Sequence, residues 1–393
     1  MTLASGFDAS RLDLLTRRFQ EDIAAGRIPG AAMLIHRHGR TVYDEALGVQ
    51  DPASGKPLAK DTIFRIYSMT KPVVSVAIMK LAEQGRLMIS DPISRFLPEL
   101  GELAVGVEKR QGAQTVLALE PAVRPVTIQD LLRHTSGFTY GIFGDSLVKT
   151  AYRDAGVGRM RASNDEFIRT LAGLPLAYQP GTVWEYSVST DVLGVILERA
   201  HGKPLDEVLK QEIFDPLGMT DTDFWVTPDR FPRLAQAFDT DPVTGVAVKL
   251  NGMEQRPNFL SGGGGLASTM SDYLKFARML MQGGELDGVR IIGRKTLAWM
   301  TSDHLGDLPA ARTGANYLPG PGYGFGLGFA VRLGEGGAVL PGSTGDFTWS
   351  GLAGTYFWID PREDLLAILL MQAPEQRTYY RQMFRGLVYG ALD

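Results

Sequence analysis

The stretch Ile66-Tyr67-Ser68-Met69-Thr70-Lys71-Pro72 runs directly into Val73-Val74-Ser75-Val76-Ala77-Ile78-Met79-Lys80-Leu81-Ala82-Glu83-Gln84, and its reading decides the fold. The second part is apolar on nearly every side and stops at Gly85, which predicts a buried helix with a glycine stop. Pro72 then falls in the first turn, where a missing N–H costs little. Ser68 lies at the helix N-terminus, and Lys71 follows one turn later on the same face. A serine hydroxyl becomes nucleophilic when a neighbour takes its proton, and a lysine desolvated by an apolar helix can take part. The helix dipole and its free N–H groups would also stabilise negative charge at the attacked carbonyl. The same four residues equally suit an N-cap beside an exposed lysine, so their context decides. Ser146-Leu147-Val148-Lys149 repeats the spacing, but in a stretch that reads as loop, and it is assigned no role.

Towards the N-terminus, Leu12 to Ala25 has the i, i+3, i+4 spacing of an amphipathic helix ended by Gly26 and Pro29-Gly30. Ala31 to His38 and Thr41 to Gly48 read as strands joined by a tight turn at Gly39-Arg40. From Asp91 to Leu217 the pattern is mostly helical, with short helices at Ile128 to Arg133, Asn164 to Leu171, Val188 to His201 and Leu205 to Phe214. Leu103 to Pro125 lacks helical periodicity and reads as a surface excursion. Gly262-Gly263-Gly264-Gly265 suits a backbone held close to another surface before a helix over Asp272 to Met281, and it does not match a dinucleotide loop. Tyr323 to Leu333, Thr348 to Ile359 and Asp364 to Met371 read as three antiparallel strands, followed by a closing helix from Arg377 to Val388. The expected class is α+β. One antiparallel sheet is drawn from both ends (1–90 and 255–393) and flanked by helices, a mainly helical lobe (91–254) is inserted, and the site lies at their junction.

The 393 residues exceed the usual size of one core, and 44% hydrophobic with 21% charged residues is ordinary for a globular protein. A net charge of −4 shows no basic excess for nucleic acid. There are no cysteines, hence no disulfides, thiolate metal sites or cysteine nucleophile, and the five histidines show no compact metal-ligand spacing. Neither a secretion signal nor a membrane-spanning run is read, so a cytoplasmic location is expected. The oligomeric state is not legible.

A nucleophilic Ser68 needs partners. Trp184-Glu185-Tyr186-Ser187-Val188 places a phenol in a loop that enters a helix, where it can relay protons. Thr348-Trp349-Ser350-Gly351-Leu352 offers a strand whose glycine lets a substrate lie close. S-x-x-K, a tyrosine motif and a late x-x-G motif, in that order, resemble the serine β-lactamase and penicillin-binding-protein fold, most closely its class C branch and the family VIII carboxylesterases. Leu131-Leu132-Arg133-His134-Thr135-Ser136-Gly137, Phe214-Asp215-Pro216-Leu217-Gly218-Met219 and Tyr323-Gly324-Phe325-Gly326-Leu327-Gly328-Phe329 support the resemblance, which covers nearly the whole chain.

The resemblance implies an acyl-enzyme on Ser68, with Lys71 and Tyr186 sharing proton transfer and the N–H groups of Ser68 and Leu352 as oxyanion hole. It assigns His134 a structural role. Tyr186-Ser187-Val188 replaces the class C Y-x-N, and Trp349-Ser350-Gly351 replaces K-T-G, removing a cation whose charged hydrogen bond is worth about 1.5–3 kcal/mol. On that ground anionic substrates are disfavoured, and Trp349, Ser350, Gly351, Tyr67 and Val188, with Trp184 and Phe347, are expected to form an apolar ester site. The expected activity is hydrolysis of short-chain carboxylic esters, with weak β-lactam turnover as a side activity and no metal or organic cofactor. A β-lactamase or D-amino-acid peptidase using another cation (Arg312 or Arg377), an acyltransferase, and a non-catalytic binding protein are the alternatives. No G-x-S-x-G elbow competes.

Overall fold

The computed structural model describes residues 5–158, 162–308 and 317–393, so Arg312 lies outside the described residues. Helix α1 (Ala9–Ala24) starts at Asp8, whose side chain accepts the Arg11 N–H. Strands β1 (Gly30–Arg37) and β2 (Arg40–Asp51) follow. Their turn is His38-Gly39, one residue earlier than the sequence suggested: Arg37 already pairs with Arg40. Both turn residues have positive φ, 50° and 74°, as a two-residue hairpin of this twist requires.

After β3 (Lys56–Pro57) and β4 (Ile63–Arg65), a 3₁₀ turn at Tyr67–Met69 leads into α2 (Thr70–Glu83). The excursion at Leu103 to Pro125 is a β-hairpin of β5 (Ala104–Gln111) and β6 (Gln114–Pro121), turned at Gly112-Ala113. Helices α3 (Ile128–Leu132), α4 (Leu147–Asp154), α5 (Asn164–Ala172), α6 (Ser189–His201), α7 (Leu205–Leu209) and α8 (Asp215–Leu217) follow. The stretch around Ser146 is therefore not loop: the Ser146 hydroxyl caps α4 by accepting the Lys149 N–H at 3.1 Å.

Next come β7 (Ala267–Thr269), α9 (Met270–Met281), the small hairpin β8 (Glu285–Leu286) and β9 (Val289–Arg290), and α10 (Arg294–Met300). The three late strands expected from the sequence are five: β10 (Tyr323–Phe325), β11 (Ala330–Arg332), β12 (Phe347–Ser350), β13 (Tyr356–Asp360) and β14 (Leu365–Met371). Gly326 to Phe329 and Gly351 to Thr355 turn the chain inside two runs that looked continuous. Helix α11 (Arg377–Gly390) closes the chain.

Strands from both ends form one eight-stranded sheet in the order β10-β11-β12-β13-β14-β1-β2-β3, every neighbouring pair antiparallel. Alternation sends Met33, Ile35, Trp358, Leu365 and Leu369 to the face covered by α1 and α11. Leu34, Phe357, Ile359, Leu366 and Ile368 go to the other face and join the core of α2, α6 and α9. Both faces of β1 and β14 are therefore buried, which explains why they read as unbroken apolar runs.

Candidate active site

Backbone accounting explains how the turn at Ser68 is held. The Ile66 N–H donates to Leu266 O at 3.0 Å, the Thr70 hydroxyl accepts the Leu266 N–H at 3.1 Å, and the Tyr273 hydroxyl donates to Met69 O at 3.1 Å. From the sheet, Thr355 Oγ1 donates to Ile66 O at 3.2 Å. Gly351 lies so near that a Cβ on it would sit 2.2 Å from that same carbonyl, so only glycine lets β12 reach the turn. Tyr67 carries a φ of +45°, a strained value of order 1–3 kcal/mol for a non-glycine residue, just ahead of the candidate nucleophile.

Lys71 is 2% exposed, which removes the exposed-lysine reading of the motif. Its Nζ donates to Gly263 O at 2.7 Å, to the Tyr140 hydroxyl at 3.0 Å and to Ser68 Oγ at 3.4 Å. All three ammonium donors are thereby directed. Tyr186 meets Lys71 through its ring face, 4.5 Å from Nζ to centroid, and its own hydroxyl has no partner among the described residues. Tyr186 also packs on Trp349 at 5.5 Å and stacks with Trp184 at 6.0 Å between ring centroids.

Tyr140 and Asp191 are the residues that sequence reasoning missed. Asp191 accepts from Ser261 Oγ at 2.5 Å, from the Gly263 N–H at 2.9 Å and from the Tyr140 hydroxyl at 3.4 Å. Gly263 is wedged against this pair, since a Cβ there would lie 2.4 Å from Asp191 Oδ2. Burial pushes the Tyr140 phenol well up, with Asp191 adding to it, and burial also raises the Asp191 carboxyl although Lys71 opposes the shift. Tyr140 therefore stays a protonated phenol that accepts from Lys71 and donates to Asp191. Only the glycine run, read as a close approach, hinted at this contact.

The other expected site residues divide. Trp349 is buried in the aromatic wall, Ser350 is half-buried, and Leu352 is 52% exposed. Ser68 is the second residue of its 3₁₀ turn, where an N–H has no acceptor within the turn, and neither its N–H nor that of Leu352 makes a backbone hydrogen bond among the described residues. Tyr67 turns its hydroxyl inward to accept the Asn251 N–H at 3.1 Å. Val188 is 0% exposed at the start of α6 and presents no open surface, because the apolar helix buries it. Phe347 packs on Phe329, with 5.3 Å between centroids. Among the described residues, no group of three or more His, Asp or Glu side chains is placed to hold a metal ion, and no helix is long and apolar enough to cross a membrane.

His134 is fully enclosed, with Nδ1 3.2 Å from Ser187 Oγ and its ring 5.1 Å from that of Tyr186. Burial, then the charge of Lys71, holds its pKa well below 6.5. The folded state keeps this imidazole neutral, while the unfolded chain binds a proton below about pH 6.5. Its contribution to stability is therefore present above that pH and is lost as pH falls towards the folded value. Urea unfolding between pH 7.5 and 5.5 should show a steeper loss for wild type than for His134→Gln, by up to about 1.4 kcal/mol per pH unit. Equal slopes would remove His134 as the cause.

A serine and a buried lysine at a helix N-terminus, facing tyrosines and the end of strand β12 of an antiparallel sheet, define a serine hydrolase of the β-lactamase fold. The chain belongs to the Beta-lactamase family, whose model matches residues 15–388. It is 36% identical over 353 residues to an uncharacterized protein of Mycobacterium tuberculosis, covering 88% of this chain and 86% of that one. It is 32% identical over 382 residues to esterase EstB of Burkholderia gladioli, covering 92% and 90%. The solved structure of EstCE1, described as a hydrolase with promiscuous acyltransferase activity, matches with a TM-score of 0.80 at 28% identity, covering 97% of this chain and 98% of that one. These relatives place the chain among esterases of the serine β-lactamase and penicillin-binding-protein superfamily.

Proposed function

We propose that this protein is a carboxylesterase that hydrolyses short-chain esters through an acyl-enzyme on Ser68, at the junction of the two lobes. Ser68 Oγ attacks the ester carbonyl as its proton passes into the Lys71–Tyr186 pair. The oxyanion is met by the N–H groups of Ser68 and Leu352; a donor of this kind is worth about 2.7–4 kcal/mol in the transition state. Tyr186, whose hydroxyl is unpaired, hands a proton to the departing alkoxide as the acyl C–O bond breaks. Water then attacks the acyl-enzyme along the reverse route, releasing the acid and returning the proton to Ser68. Tyr140, held by Asp191, positions Lys71.

The observation that carries this reading is the placement of Lys71 Nζ, buried and 3.4 Å from Ser68 Oγ, beside a wall of Trp184, Tyr186 and Trp349. Transfer of the acyl group to an alcohol instead of water is a second reading, favoured by the likeness to EstCE1. Parallel assays with p-nitrophenyl butyrate and a chromogenic cephalosporin test the proposal. Ester turnover well above lactam opening is the expected result; equal or faster lactam opening would move the protein to the lactamases.

A further inference from the structure

Lys149 and Glu185 form an ion pair at 2.9 Å in which both side chains are almost fully enclosed, the residues being 4% and 3% exposed. Taking two charges out of water costs about as much as their attraction returns, so stability alone does not account for such a pair. Lys149 is the lysine of the second S-x-x-K, Ser146-Leu147-Val148-Lys149, whose serine caps α4 through the Lys149 N–H and leaves the ammonium to reach elsewhere. Its Nζ also donates to Phe143 O at 2.6 Å. Glu185 Oε1 accepts from Thr139 Oγ1 at 2.7 Å, and the Glu185 N–H donates to His134 O at 2.9 Å.

The residues tied together adjoin the two tyrosines around Lys71: Thr139 precedes Tyr140, and Glu185 precedes Tyr186. The segment from Thr139 to Phe143 lies flush on α4. Arg153 Nη1 donates to Gly141 O at 2.8 Å, and a Cβ on Gly141 would sit 2.7 Å from Lys149 O. Phe143 packs in turn on Tyr186, with 5.8 Å between ring centroids. Two hydrogen bonds fix the Tyr140 hydroxyl, whereas that of Tyr186 has none among the described residues. The place of Tyr186 against Lys71 is therefore set by ring packing and by what holds its backbone. The ion pair on the preceding residue joins that backbone to α4.

We propose that Lys149 and Glu185 are a positioning pair for proton transfer: they fix Tyr186 at the Lys71 ammonium by clamping its loop to α4 and to the segment that carries Tyr140. The inference rests on the Ser68-dependent ester hydrolysis proposed above. Both side chains are closed off from solvent, so they act through Tyr186 and not on the substrate. Losing the pair therefore lowers the rate and leaves substrate binding in place. A misplacement of about 1 Å in such a group can cost about 10²-fold in rate.

The test uses the double variant Lys149→Met/Glu185→Gln, which removes both charges together, because a single substitution strands the other charge in the interior. The glutamine carbonyl can still accept from Thr139. On p-nitrophenyl butyrate kcat should fall about 10–100-fold, with KM within about twofold of wild type. In a Tyr186→Phe background the same two substitutions should cost no more than about twofold further, because the group they position is gone. Thr139→Val carries the test in a chain that keeps both charges: kcat should fall there by a smaller factor, and Thr139→Ser, which keeps the hydroxyl, should hold the wild-type value. Wild-type kcat in the folded double variant and in Thr139→Val, or an equal proportional loss in the Tyr186→Phe background, would overturn the proposal and leave the pair a packing feature. The rate at which a fluorophosphonate labels Ser68 makes the same comparison without an ester: a parallel drop supports the clamp and an unchanged rate overturns it. Absence of ester turnover in wild type would count instead against the esterase reading.

Discussion

Ser68→Ala is expected to lower ester turnover by roughly 10⁴-fold or more, because the nucleophile is removed and only binding and the oxyanion donors remain. The fold should persist. Ser68 Oγ makes one hydrogen bond, accepted from Lys71 at 3.4 Å, and losing so long a contact costs no more than about 1 kcal/mol. The turn around it is held by Ile66, Thr70 and Met69, not by the serine side chain. The check is steady-state hydrolysis together with thermal unfolding and mass spectrometry after a fluorophosphonate label. Wild type should gain one adduct on Ser68 and the variant none. Turnover surviving in a folded Ser68→Ala protein would discard the mechanism.

Lys71→Met is expected to cost about 10²–10⁴-fold in kcat, the usual worth of a positioned acid–base group. Methionine fills much of the buried volume, yet it leaves the Gly263 carbonyl and the Tyr140 hydroxyl without their donor, at about 1–3 kcal/mol for each buried group left unmet. Lower stability should therefore accompany the lower rate. Tyr140→Phe keeps Lys71 and removes one of its three anchors, so its loss should be smaller, about 10–100-fold. If Ser68 and Lys71 act as one unit, the double variant should be no slower than Ser68→Ala alone. Additive losses would mean that Lys71 serves some other step.

How far the site was legible depends on the distance along the chain. Ser68 and Lys71 are three residues apart, and helical geometry alone puts them on one face. Tyr186 and Trp349 were reached through motifs, and the structure places their rings beside each other. Tyr140 and Asp191 carried no such mark. A tyrosine between Gly137 and Gly141 and an aspartate inside an apolar helix are ordinary until folding brings both to Lys71. Val188 was grouped with them on its proximity to Tyr186 in sequence, whereas the structure encloses it completely just ahead of α6.

The sequence by itself determined the α+β class, the buried helix after Ser68, the pairing of strands from both ends, and the helices of the middle region. Each follows from local periodicity, from glycine and proline punctuation, or from the alternation that buries both faces of β1 and β14. The tertiary structure alone decided where distant polar groups find their partners: the Tyr140 and Gly263 acceptors around Lys71, the ring face of Tyr186 turned to that ammonium, and the reach of Arg381 from α11 to Gly351. Such contacts join residues 30 to 192 positions apart in the chain. No local pattern encodes them, because each arises only when burial forces a polar group to take whichever partner the packed core brings within reach.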